Sequence, residues 1–189
     1  VHYFKTAGAA EFSFVWISDF HAYAPLPNRL SNAIRAINAA VAVDSSVDFV
    51  FSTGDTIAWG GSYSFWTNMY AQNFIHNYMF ANLLGNHDNM TRTNALTSDF
   101  FRIANNLPLN GYSGQAGVCY WFIYHNVLFL TLNNEVMKIG AADVAKLRSA
   151  LREAGAGVSA SPLWVTTMTV RPSNTCCPVS RKYATAPTA

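Results

Sequence analysis

Three short apolar runs constrain this chain more than any other feature, because each stops abruptly at a polar motif. Residues 11–18 (EFSFVWIS), 47–52 (VDFVFS) and 78–84 (YMFANLL) are rich in aromatic and β-branched side chains. Runs of this length and composition read as buried strands. They are followed by Asp19-Phe20-His21, Thr53-Gly54-Asp55 and Gly85-Asn86-His87-Asp88. Between the first two, Leu30, Ile34, Ile37 and Val41 recur at helical spacing and predict an amphipathic helix over Arg29–Val43. Strands alternating with helical segments imply an α/β sheet. Ligands of such sheets gather at the carboxyl ends of strands. Asp19, Asp55 and Asn86, spaced 36 and 31 residues apart, are therefore expected to converge on one crevice.

The remaining segments fit the same architecture. Trp59–Tyr78 is aromatic-rich and predicted helical in its second half. Val118–Tyr124 and Val127–Leu132 predict a hairpin turning at His125-Asn126, because Asn tolerates positive φ. Ala142–Ala154 predicts a helix with Val144, Leu147 and Leu151 inward and Gly155 as its stop. The composition then breaks: no acidic residue follows Glu153, while threonine, proline and the pair Cys176-Cys177 accumulate. Only Leu163–Val170 reads as a strand there.

At 189 residues the chain suits one sizeable domain. A formal net charge of +2 announces no nucleic-acid or anionic-lipid partner, and no apolar run is long enough to span a membrane. The sequence starts at Val1, and no secretory leader can be read. Cys119, Cys176 and Cys177 form no disulfide or metal framework.

Taken singly, the polar motifs are weak, since D-x-H and G-D occur in many solvated loops and turns. Their chemistry becomes specific in combination. Asp19 and His21 can present a carboxylate oxygen and an imidazole nitrogen to one divalent cation. Asp55 has two oxygens and can bridge two cations, with Gly54 letting the backbone turn sharply enough to aim it. Asn86 offers a hard amide oxygen, His87 an imidazole, and Asp88 a carboxylate able to orient that imidazole. His125 reads as a solvated turn residue. Trp59, Tyr63, Trp66 and Tyr70 read more as core than as a groove beside Asp55.

D-x-H, then G-D, then G-N-H-D, in this order and spacing, resembles the calcineurin-like metallophosphoesterase superfamily over roughly residues 12–153. The hairpin from Cys119 to Asn133 is similar to that of bacterial secreted members related to purple acid phosphatases. The resemblance implies an α/β sandwich of mixed sheets flanked by helices. It implies a hydrolase of phosphate esters with a dinuclear metal centre and a bridging hydroxide as nucleophile. Asp19 and His21 would hold one metal, Asp55 would bridge, and Asn86 would hold the second. His87 would act as the catalytic proton donor to the leaving group, with Asp88 behind it. The cofactors would be two divalent ions, and mixed N/O ligands accept manganese, iron or zinc. Substrates would be small phosphate esters or a phosphoprotein, and the location secreted or periplasmic.

Residues 1–9 resemble the last strand of a fibronectin-type-III-like domain, residues 10–157 the N-terminal part of the metallophosphoesterase domain, and 158–189 an anomalous tail. Two departures stand out. His21 and Thr56-Ile57-Ala58 replace the glycine and the iron-binding tyrosine of purple acid phosphatases, so a tyrosinate-bound iron is not expected. No histidine follows His125, whereas the family completes its metal pair with later histidines. The second half is therefore expected to be incomplete, through truncation or a frame shift. The rival reading is a non-catalytic fragment or scaffold of the same fold.

Overall fold

The computed structural model describes residues 6, 11–90, 99–111, 115–125, 127–133, 144, 145, 148, 149, 151 and 152. Three parallel strands, β1 (Phe14–Ile17), β2 (Phe49–Ser52) and β3 (Met79–Asn82), form a sheet in the order β1-β2-β3. Phe14 pairs with Phe49 and Ile17 with Ser52; Phe49 pairs with Met79 and Ser52 with Asn82. Helix α1 (Asn28–Val43) connects β1 to β2, while α2 (Tyr63–Tyr70) and α3 (Asn73–Asn77) connect β2 to β3. Beyond β3 come α4 (Asn86–Asn89), α5 (Asp99–Asn105) and an antiparallel hairpin of β4 (Trp121–Tyr124) and β5 (Val127–Leu130). The mixture of parallel and antiparallel sheets with helices is the α/β fold expected. The regular strands are shorter than the apolar runs that announced them.

Central strand β2 is buried at every position, as a strand covered on both faces must be. Alternation sends its side chains two ways. Val50 joins Val15, Leu30 and Ile37 in a core shared with α1. Phe49 and Phe51 turn to the other face, into a cluster with Ala81 and Tyr124 that also gathers Phe12, Phe14, Phe122 and Phe129. The hairpin therefore packs on the sheet through aromatic rings. Phe14 and Phe49 stack at 5.1 Å, and Phe122 and Phe129 at 4.8 Å, both nearly coplanar. Such pairs add about 0.5–1.5 kcal/mol each beyond the area they bury.

Several expectations need adjusting. Helix α1 begins at Asn28, directly after Pro27, and Ile34 and Val41 lie partly buried at the rim of the core rather than inside it. At the hairpin turn His125 carries a positive φ of 59°. His125 is only partly exposed: its ring lies 6.4 Å from that of Phe12 and its Nε2 is enclosed. Val144 is exposed rather than inward. Leu147, Asn126, residues 1–5 and 7–10, and the tail from 153 onward lie outside the described residues. Among the described residues no helix is long and apolar enough to cross a membrane.

Candidate metal centre

The candidate site forms where the β-ladder runs out. Past β1 and β2 the backbones stay paired: the Asp19 N–H donates to Gly54 O (3.1 Å), His21 N–H to Asp55 O (2.8 Å) and Ala22 N–H to Thr56 O (2.9 Å). The chains achieve this by leaving the extended conformation. Asp19 (φ 60°), His21 (φ 43°) and Asp55 (φ 53°) are all left-handed, which costs a non-glycine residue of order 1–3 kcal/mol. Among the described residues, three of the five left-handed non-glycine ones are thus predicted metal ligands, and functional sites are the usual location of stored backbone strain.

His21, Asp55 and His87 each present one ligand atom, and these atoms lie within 4.8 Å of one another. His21 Nε2 lies 3.8 Å from Asp55 Oδ2 and 3.5 Å from Asp19 Oδ1. The imidazole and hydroxyl of His21 and Ser18 hold the Asp19 carboxyl below its ordinary value, against the effect of burial. The rings of His21 and His87 meet edge to face at 4.5 Å. Asp55 Oδ1 accepts the His87 backbone N–H at 3.0 Å, which leaves Oδ2 towards His21. Two imidazoles and a carboxylate at this spacing suit a borderline divalent cation, and the set includes His87, which the sequence pattern made the proton donor rather than a ligand.

The last motif is arranged differently from the expectation. Asn86 opens α4; its Nδ2 contacts Met90 Sδ at 3.8 Å, a contact that uses the amide nitrogen and not the oxygen a metal would take. Asp88 does not orient the His87 ring. Its Oδ1 accepts the Ile57 N–H (3.1 Å) and its Oδ2 the Gly85 N–H (3.0 Å), so it clamps the loop after β2 to the start of α4. The His87 ring is held instead by Ala58, whose carbonyl oxygen lies 2.8 Å from Nδ1. The physical reason is reach: an acidic residue three positions after Gly85 folds back onto that N–H, as in a capping box. That spacing was visible in the sequence. The Ala58 carbonyl was not, since a backbone group has no residue-type signature. Complete burial pushes the Asp88 carboxyl up to about 8; the Asp55 carboxylate adds to the rise, and N–H donors from Gly85, Ile57 and Thr56 oppose it.

Two glycines let the loops close. Gly54 has φ 101°, and a Cβ there would fall 2.6 Å from Gly85 N. A Cβ on Gly85 would fall 2.3 Å from both the backbone N and Oδ1 of Asp55. Gly54→Ala should therefore destabilise the protein by about 2–5 kcal/mol, combining left-handed strain with overpacking. In a chain of this length that lowers the melting temperature by roughly 5 °C or more. A thermal melt checks it, and an unchanged midpoint would show that the loops are not in contact.

The aromatic residues near Asp55 divide between two roles. Trp66 is buried, with its indole N–H donating to Gly60 O at 3.1 Å, while Tyr63 is exposed. Trp59 lies beside the His87 ring at 5.7 Å.

A family profile described as calcineurin-like phosphoesterase matches residues 12–184, a stretch that runs past Gly157 through most of residues 158–189. No curated protein matches the sequence. Among solved structures, a purple acid phosphatase from seeds of yellow lupin (Lupinus luteus) is similar, with a TM-score of 0.60 and 16% identity. The similarity covers 78% of this chain and 28% of that one, so this chain spans less than a third of its neighbour. At that identity the likeness concerns the fold. With the profile covering nearly the whole sequence, the chain belongs to the calcineurin-like phosphoesterase family.

Proposed function

We propose that this chain is the metal-binding part of a phosphoric ester hydrolase that works with two divalent ions. The observation that carries this reading is the convergence of His21, Asp55 and His87 within 4.8 Å at the carboxyl ends of β1, β2 and β3, in a chain of this family. When bound, the ions supply positive charge to the phosphoryl oxygens and a hydroxide nucleophile. The protein's own groups do the rest. Asp19 and His21 would hold one ion, Asp55 would be shared, and Asn86 would supply an amide oxygen to the other. His87 is fixed through Nδ1 by the Ala58 carbonyl, which leaves Nε2 to hand a proton to the departing oxygen. Asp88 keeps the Asp55 loop and the His87 turn at a fixed separation.

Hydrolysis of an aryl phosphate monoester and of an aryl diester, with and without added Mn2+ or Zn2+, tests this reading. Turnover that appears with metal and vanishes with chelator is the expected result. Metal binding with no turnover of either ester would favour the non-catalytic rival, and no metal binding would remove the centre altogether.

A further inference from the structure

A chain of side-chain hydrogen bonds, buried at its Thr56 end, starts one residue from Asp55 and runs away from the metal centre. The Thr56 hydroxyl donates to Asn82 Oδ1 at 2.8 Å, and Asn82 Nδ2 donates to Asn105 Oδ1 at 3.0 Å. The same Asn105 oxygen accepts the Tyr70 hydroxyl, and Asn105 Nδ2 donates to Phe101 O at 2.8 Å. Tyr120 caps the chain from the hairpin side, its hydroxyl donating to Asn82 O at 3.0 Å. Behind Thr56, Ser52 Oγ accepts the Gly54 N–H at 3.3 Å, so the turn that carries Asp55 is bracketed on both sides.

Thr56 and Asn82 are fully buried, each at 0% exposure. Buried polar groups are costly unless satisfied, yet an apolar pair at these positions would pack without that cost. The bonds also have a fixed direction. A carbonyl oxygen of Asn105 that takes two donors obliges Asn82 to point its amide nitrogen outward and its oxygen at Thr56. Burial pushes the Tyr70 phenol up, so it remains a donor. The chain thus links the end of β3, the C-terminal ends of α2 and α5, and the left-handed Asp55 turn. The β2–β3 ladder does not do this, because its pairing ends at Ser52 and Asn82; on that side of the turn the Thr56–Asn82 bond takes over, while the Ala22 N–H holds Thr56 O from the β1 side.

We propose that Asn82 is a positioning residue, which acts through the Thr56 hydroxyl to hold the strained Asp55 turn in the geometry that binds metal. The proposal rests on the metal-centre reading above. Asn82 touches neither metal nor substrate in this role. It fixes the backbone from which Asp55 meets the His87 N–H and the cation.

Thr56→Val tests it, since this change removes the hydroxyl and keeps the shape; Asn82→Leu would strand two partners and could fail to fold. Two quantities are read on the full chain: Mn2+ affinity by calorimetric titration, and hydrogen exchange of the His87 amide, which donates to Asp55. Thr56→Val should weaken Mn2+ binding about 10–100-fold, the range of outer-shell changes, and speed exchange at His87 while α1 amides stay protected. Thr56→Ser should restore both. Tyr70→Phe, which leaves the Thr56–Asn82 bond, should lower the melting temperature without changing either. If Thr56→Val lowers the melting temperature but leaves Mn2+ affinity and His87 exchange as in the unaltered protein, the network is merely structural. If the unaltered protein binds no Mn2+, the metal reading fails, and the exchange at His87 still decides whether the turn is positioned by Asn82.

Discussion

Replacing Asp55 by asparagine should empty the metal centre while leaving the fold in place. Asn keeps an oxygen where Oδ1 accepts the His87 N–H, so the contact that joins the two loops survives. The charge does not survive, and with it goes the carboxylate oxygen 3.8 Å from His21 Nε2. Removing that charge also relieves the repulsion it exerts on buried Asp88, so the apo protein should melt no lower than the unaltered one. Outer-shell substitutions cost roughly 10–100-fold in metal affinity; loss of a direct ligand should exceed that and take the proposed ester hydrolysis down to background. Mn2+ titration beside a melting curve separates the two effects. Retention of Mn2+ at near-normal affinity would show that Asp55 is not a ligand.

His87→Ala should slow turnover by about 10²–10⁴, the usual contribution of general acid catalysis, with bound metal retained. The geometry makes this a sharper question than the sequence did. His87 belongs to the same donor cluster as His21 and Asp55, so an imidazole read as the proton donor stands where a ligand could. A carbonyl oxygen only accepts, so the contact with Ala58 O places a proton on Nδ1 and leaves Nε2 as the working atom. A proton donor uses Nε2 protonated, a ligand uses it bare. Measuring metal content and rate on one sample decides between them. Metal lost in proportion to rate would make His87 a ligand and leave the leaving group without the donor assigned to it.

Asp19, His21, Asp55, Asn86 and His87 could be singled out from the sequence because each directly follows a short apolar run. The run predicts a strand, and the polar residue after it must lie at the strand's carboxyl end. Residue types at fixed spacing along one chain are legible in this way, and so are the period of α1 and the aromatic hairpin. Asp88 shows the limit. Its type and spacing allowed two partners, the His87 ring or the backbone N–H groups of Gly85 and Ile57, and only the fold brings those donors to its oxygens.

What the tertiary structure alone decided is how the loops meet. The left-handed turns at Asp19, His21 and Asp55 arise because two neighbouring loops bond to each other past the end of the ladder. Propensity in either loop alone would not choose them. The Ala58 carbonyl that fixes His87, and the Asn82–Asn105 pair that ties the Asp55 turn to α5, join residues 29 and 23 positions apart. The sequence by itself determined which chemistry converges, since side-chain type and strand position are local properties. The fold decided the partner of each group, because hydrogen bonds and close approaches between loops depend on distances that no single stretch of chain encodes.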